Sequence, residues 1–245
     1  MSAKLMLNPI LTLARRELIG LFASPIGYVV LALFALGSGL VFAVGFAPGQ
    51  PAAMTTTFDA TVWLLVFLAP AISMRLLSEE MARGTLERLG TSPVSDTQVI
   101  LGKWLAAMAF LALLFIPLLI QIGLLIWHGD PDFGPLLSGL LGVVLVGALY
   151  LAVGTFASAA TENQIIAFLL AMFVIAGLTF LFFFLPESGV LPATVRAAVL
   201  YANVNRQFAE FNRGVIDLRN VLYFVSMTGL FLFLAVKLLE SRRWR

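Results

Sequence analysis

Six apolar runs, each close to a bilayer in thickness, divide this 245-residue chain, and its polar residues collect between them. A run of roughly 20 apolar residues crosses the hydrocarbon as a helix, because a helix satisfies every backbone group where no water is present. The fold class that follows is all-α: an integral membrane protein with six transmembrane helices. Composition agrees. The chain is 61% hydrophobic and 11% charged, against roughly 25% charged in an ordinary soluble domain, so it cannot cover its apolar surface in water. It contains no Cys, which excludes disulfides and thiolate metal sites.

The expected spans are residues 26–47, 58–77, 104–127, 135–159, 164–185 and 220–239. The second is the shortest in apolar content, with fifteen uncharged residues between Asp59 and Arg75. Arg75 can snorkel, and Leu76 and Leu77 extend the stretch. Pro70 and Pro117 should bend the second and third spans. Gly37 and Gly39 suggest close packing of the first. Ser138 and Gly142, and again Gly154 and Ser158, are four apart in the fourth, a spacing that lets helix backbones approach. Trp104 and Trp127 stand at the ends of the third span as interfacial anchors.

Residues 1–25 read as an interfacial helix on the cytoplasmic surface. Asn8-Pro9 fits a helix start, and Leu11, Leu18 and Leu21 recur at helical spacing beside Arg15, Arg16 and Glu17. Ser24-Pro25 should end it, because the residue before Pro avoids the helical region. No cleavable signal peptide is expected: charged residues precede the first apolar run, and no small-residue cleavage site closes it. Residues 186–219 read as an extracytoplasmic loop with short amphipathic helices. Pro192 is placed to open one and Asn205 to cap another. Arg206, Glu210 and Arg213 share a face of the latter, and Phe208, Phe211 and Val215 the opposite one. Asp217 should cap the last span.

Orientation follows from counting. With the N-terminus inside, the inner segments hold Lys4, Arg15, Arg16, Arg75, Arg83, Arg88, Lys103, Lys237, Arg242, Arg243 and Arg245, eleven of the fifteen basic residues. The other four, Arg196, Arg206, Arg213 and Arg219, lie in one long outer loop. The positive-inside rule therefore expects both termini in the cytoplasm and an even number of spans. It also accounts for most of the basic residues without a nucleic-acid partner.

That orientation puts residues 75–103 in the cytoplasm. This interval holds eight charged residues: Arg75, Glu79, Glu80, Arg83, Glu87, Arg88, Asp96 and Lys103. Glu79 with Arg83, and Arg83 with Glu87, are i,i+4 pairs on a helix, and Glu80 with Arg83 is an i,i+3 pair. Leu86 and Leu89 give that helix an apolar strip, and Gly90 ends it. Ser92-Pro93 reads as N-cap and first turn, and Ser95-x-x-Gln98 as a capping box, so a new helix should run on into the third span.

Catalytic motifs are absent. Gly102-Lys103 is followed by Trp104, and Thr97 stands where a phosphate-binding loop would need its first Gly, so the chain cannot bind ATP by that route. Neither a His-Glu-x-x-His zinc motif nor a Gly-x-Ser-x-Gly elbow is present. Glu79-Glu80 invites an intramembrane peptidase reading, but the chain's single histidine, His128, falls on the opposite side. Ion-coupled transport usually requires an ionisable residue deep in the membrane. Here Gln121 is the only amide well inside a span, and its expected role is a helix-packing hydrogen bond.

Ser78-Glu79-Glu80-x-x-x-Gly84-Thr85-Leu86-Glu87-x-Leu89-x-Thr91-Ser92-Pro93-Val94-Ser95-Asp96, followed by Leu101-Gly102-Lys103, resembles the cytoplasmic motif of ABC-2 type transporter permeases. Two further pieces are similar to the gliding-motility-associated permeases among them. One is Arg16-Glu17-Leu18 with Ser24-Pro25-Ile26-Gly27-Tyr28. The other is Phe211-x-Arg213-Gly214-Val215-Ile216-Asp217-x-Arg219 with Leu239-Glu240-Ser241-Arg242-Arg243-Trp244. The resemblance covers essentially the whole chain. Gly90 departs from it, standing where a bulky apolar residue is common. The chain also lacks the large domain that some drug-type members carry between the first two spans, which favours the compact subgroup.

The resemblance implies a single ABC-2 type transmembrane domain over residues 1–245, with a coupling region at 78–96. It implies docking on a separate ATPase through Glu79, Glu80, Arg83, Leu86, Glu87, Leu89, Ser92 and Pro93. Its further implications are a second permease subunit, identical or related, membrane lipid around both, no cofactor of the chain's own (ATP being bound by the ATPase), and a place in the bacterial inner membrane. The expected function is the permease half of an ATP-driven exporter. The rival readings are a non-transporting membrane anchor for an ATPase and, more distantly, an intramembrane enzyme.

Overall fold

The computed structural model describes residues 3–46, 53–84, 94–181 and 200–242. All regular structure among them is helical. Helix α1 (Ala3–Ala23) is followed after one residue by α2 (Pro25–Gly45). The single residue between them, Ser24, is extended at φ −96° and ψ 138°, and its hydroxyl accepts the Ile26 N–H. Thus Ser24-Pro25 ends one helix, as expected, and also starts the next, with Pro25 in the first turn. Helix α1 begins earlier than Asn8-Pro9 suggests, and Pro9 lies inside it. Near a helix start a proline forfeits a single backbone bond, which the following turns outweigh.

Helix α3 (Thr55–Ser73) gives way to a turn and a one-turn helix, α4 (Ser78–Ala82). Pro70 and Ser73 prepare that break. Pro70 offers no N–H to the preceding turn, and the Ser73 hydroxyl donates back to the Ala69 carbonyl at 2.7 Å. Helix α5 (Asp96–Leu114) starts with the expected capping box: the Gln98 N–H reaches the Ser95 hydroxyl and the Gln98 amide oxygen accepts the Ser95 N–H. It is interrupted at Phe115 and resumes as α6 (Ile116–His128), with Pro117 in the new first turn, so the anticipated bend is a change of helix. Together they run 33 residues, about 50 Å at 1.5 Å per residue. That exceeds the roughly 30 Å of hydrocarbon, so this element is longer than a single crossing needs.

Helix α7 (Phe133–Ala160) is the axis of the fold: 72% of its most apolar stretch is buried, against 22% for α2. Its small residues admit neighbours, Gly142 and Gly154 as their spacing predicted and Gly147, outside that spacing, as well. A Cβ on Gly154 would lie 1.8 Å from the Ser73 Oγ of α3, and one on Gly147 would lie 2.4 Å from Leu111 of α5. Gly37 likewise receives Leu64, whereas no atom of the described residues lies within 4 Å of a Cβ on Gly39. The Trp104 indole, expected at the membrane interface, turns inward and donates to the Ala148 carbonyl at 3.2 Å, while Trp127 is exposed.

Asn163 caps α8 (Gln164–Ala176), and one π-helical turn (Gly177–Leu181) continues it. There the Thr179 hydroxyl meets Tyr150 of α7 at 2.9 Å. Helix α9 (Val204–Asn212) is capped by Asn203, whose side chain accepts the Arg206 N–H; the expected cap, Asn205, instead reaches the Thr179 carbonyl. Two buried phenylalanines, Phe208 and Phe211, hold α9 against Gly142 of α7, so its apolar face packs on the bundle. Val215 falls beyond its end and is exposed. Helix α10 (Leu218–Arg242) starts at Asp217, whose carboxylate accepts the Arg219 N–H at 2.8 Å.

Among the described residues, five elements are long and apolar enough to cross a membrane: Pro25–Gly45, Thr55–Ala82, Asp96–His128, Phe133–Ala160 and Leu218–Ser241. The fifth expected span, residues 164–185, is represented by a shorter apolar helix, Gln164–Phe180. Its last four residues lie outside the described ones, so the count of long spans is five where six were expected.

Candidate functional site

The polar interval between the second and third spans meets the N-terminal helix at a charge cluster built round one buried lysine. Lys103, on the second turn of α5, has a fully buried side chain. Its Nζ lies 2.9 Å from Glu17 Oε1 on α1 and 2.9 Å from Glu80 Oε2 on α4. Glu80 Oε1 is in turn 3.2 Å from the Arg16 guanidinium. The order Glu17, Lys103, Glu80, Arg16 alternates in sign and sums to zero. A buried ammonium is tolerated only with such partners, since water no longer solvates it.

Local backbone structure supplies each position. Arg16 and Glu17 are consecutive on α1 and reach two different elements. Helix α1 can approach α5 because residue 102 is glycine: a Cβ there would sit 2.9 Å from Leu13 Cβ. The Arg75 guanidinium donates to the Gly20 carbonyl at 2.6 Å, satisfying a carbonyl in the last turn of α1 and favouring its dipole.

The turn before α4 is fixed from α7. The Ser158 hydroxyl accepts the N–H of Leu77 at 3.0 Å and of Ser78 at 3.1 Å, and donates to the Met74 carbonyl at 2.9 Å. The Ser78 hydroxyl also donates to Met74.

The adjacent glutamates diverge. Glu80 turns inward to the cluster, whereas Glu79 faces outward and pairs with Arg83 at 2.7 Å, the i,i+4 contact expected from spacing. This is not the geometry of two carboxylates sharing a reacting group. Gly84 follows with a left-handed φ of +65°, a conformation suited to glycine. Of the remaining docking residues expected from the sequence, Leu86, Glu87, Leu89, Ser92 and Pro93 lie outside the described residues. Sequence reasoning passed over Glu17, Lys103 and Ser158 as site residues. The motif fragments Arg16-Glu17-Leu18 and Leu101-Gly102-Lys103 held the first two, but nothing local joins residues 86 apart in the chain.

The family model for ABC-2 family transporter proteins matches residues 36–239, most of the chain. The chain belongs to the ABC-2 transporter family. No match was found among curated proteins. Membership and the apolar helices make the chain a multi-pass membrane protein and a transmembrane subunit of an ABC transporter. Such a subunit carries no ATPase site of its own, and the family in general works with an ABC ATPase. Glu80 and Lys103 lie within the matched residues, whereas Arg16 and Glu17 precede them.

Proposed function

We propose that this ABC-2 family chain is the permease half of an ATP-driven exporter in a bacterial inner membrane. Both termini face the cytoplasm. Two copies, or one copy and a related subunit, form the path, and each half docks a separate ATPase through residues 78–96. The carrying observation is the polarity of the break after the second span. There Glu79 and Arg83 present an exposed charged pair while their neighbour Glu80 is anchored to α1 and α5. A surface that is charged outside and rigidly tied inside suits a docking element, because force applied to it reaches the membrane helices. The distribution of Lys and Arg supports the orientation. The N-terminal and C-terminal motif fragments favour the compact, gliding-motility-like subgroup; gliding itself is no part of the proposal.

The test is assembly with a candidate ABC ATPase from the same organism, in mild detergent and then in proteoliposomes. A defined complex whose ATPase rate rises in the presence of the permease supports the docking role. Glu79→Lys and Glu87→Lys should weaken association while membrane insertion stays intact, and undiminished association in both variants would remove residues 78–96 from the interface. Association and hydrolysis without ATP-dependent movement of any cargo would identify a membrane anchor.

A further inference from the structure

We infer that Glu17 and Lys103 make α1 a second arm of the coupling apparatus: the Glu17–Lys103–Glu80 cluster, built round the buried Lys103 and flanked by the exposed Arg16, carries displacement of the docking segment to α1 and α5 together. This rests on the reading that residues 78–96 dock the ATPase.

The cluster joins three elements that are far apart in sequence. Lys103 belongs to α5, which continues through α6 to the far side of the apolar layer. Glu80 belongs to the short helix next to the docking residues. Arg16 and Glu17 belong to α1, which reaches the interval only in space. Lys103 grips both carboxylates at 2.9 Å, and Glu80 grips two cations. Separating either Lys103 contact leaves a fully buried ammonium short of a partner, a far larger penalty than opening a pair with an exposed cation such as Glu79–Arg83 or the outer Arg16–Glu80 contact. When the segment is pushed, the exposed contacts yield first and the buried ones hold. The close approach at Gly102 and the Arg75 bond to Gly20 resist sliding of α1 along its neighbours. Packing alone does not require charge here, because apolar residues of similar shape often hold helices as well or better. An alternating charge chain adds direction: each group fits one partner arrangement, so α1, α4 and α5 keep a single register as they move. Glu17 and Lys103 are therefore positioning residues, touching neither nucleotide nor cargo.

The experiment uses the full transporter with its ATPase in proteoliposomes, comparing Glu17→Gln, Lys103→Met and Lys103→Arg. In Glu17→Gln and Lys103→Met, complex assembly and ATP hydrolysis should stay close to wild type while transport falls about tenfold, the scale of a coupling energy between sites. Lys103→Arg should recover most of the transport. Transport and hydrolysis that fall in parallel, or transport that is unaffected, would overturn the inference.

A distance measurement covers variants that fold poorly. The chain has no native Cys, so spin labels at Leu11→Cys on α1 and Thr97→Cys on α5, both exposed, report their separation directly. One narrow distance, the same with and without trapped nucleotide, is expected in the otherwise unaltered chain, broadening with nucleotide in Glu17→Gln. A distance equally narrow and fixed in Glu17→Gln would count against the cluster. Failure of the docking reading shows itself separately, as loss of ATPase binding by the unmodified permease.

Discussion

The Ser158 hydroxyl stands 3.0 Å from the Leu77 N–H and donates to the Met74 carbonyl, so a side chain of α7 satisfies the backbone where α3 stops and α4 begins. A helix end buried without such a partner leaves polar groups that water cannot reach. The same oxygen also accepts the Ser78 N–H. Replacing Ser158 by Ala strands two donors, at about 1–3 kcal/mol for each buried group. Unfolding in detergent should show Ser158→Ala destabilised by about 2–6 kcal/mol on that basis. A loss within measurement error would mean that the turn is held by other contacts.

Gly154 makes the same junction possible from the backbone side. A Cβ would meet the Ser73 Oγ at 1.8 Å and Ser73 Cβ at 2.6 Å. The hydroxyl can turn away only by giving up its bond to the Ala69 carbonyl, and the Cβ cannot withdraw without moving α3, so Gly154→Ala should cost about 1–3 kcal/mol through overpacking. Gly39→Ala is the control. Nothing lies within 4 Å of that position, and a helical Gly→Ala change in open space gains up to about 1 kcal/mol. Opposite signs for the two variants in one unfolding assay are the expected outcome. Matching signs would show that α3 and α7 are not in contact at Ser73.

These two glycines show what the sequence could and could not reveal. Spacing marked both as small residues within spans, yet only the neighbour decides whether a small residue is needed. Features carried by one short segment were legible: the Ser95–Gln98 capping box, the Asp217 cap, the Glu79–Arg83 pair and the helix change near Pro117 all depend on nearby residues. Features that depend on distant residues were not. Glu17 and Lys103 are 86 residues apart, and each alone reads as an ordinary interfacial charge. Helix α9 shows the same limit. Its amphipathic pattern does not say what its apolar face meets; Gly142, on another helix, is what receives Phe208 and Phe211.

The capping box offers a local test of how α5 is started. Ser95 and Gln98 satisfy each other's backbone N–H groups at 3.3 and 3.0 Å. Ser95→Ala should cost about 1 kcal/mol and speed amide hydrogen exchange in the first turn of α5, with Ser95→Asp restoring most of the protection. Exchange as slow in Ser95→Ala as in the parent chain would show that packing, not the cap, fixes this end.

Gln121 gives the opposite expectation for a buried polar residue. Its amide nitrogen donates to the Ser38 hydroxyl at 3.3 Å, linking α6 to α2, and both side chains are buried. The bond is long, and the Gln121 amide oxygen has no hydrogen-bond partner among the described residues. One weak bond gained must be set against a carbonyl oxygen left in an apolar environment, where an unsatisfied group costs about 1–3 kcal/mol. Side-chain hydrogen bonds between membrane helices are worth only about 0.6 kcal/mol on average. Gln121→Leu keeps most of the volume and removes the stranded oxygen, so it should leave stability unchanged or raise it by about 1 kcal/mol. Gln121→Ala should be destabilising, because it leaves a cavity beside Ser38. Transport measured alongside unfolding separates packing from function. A Gln121→Leu chain that is stable but inactive would reveal a functional use for the free oxygen, and one that is both stable and active confirms the residue as helix packing alone.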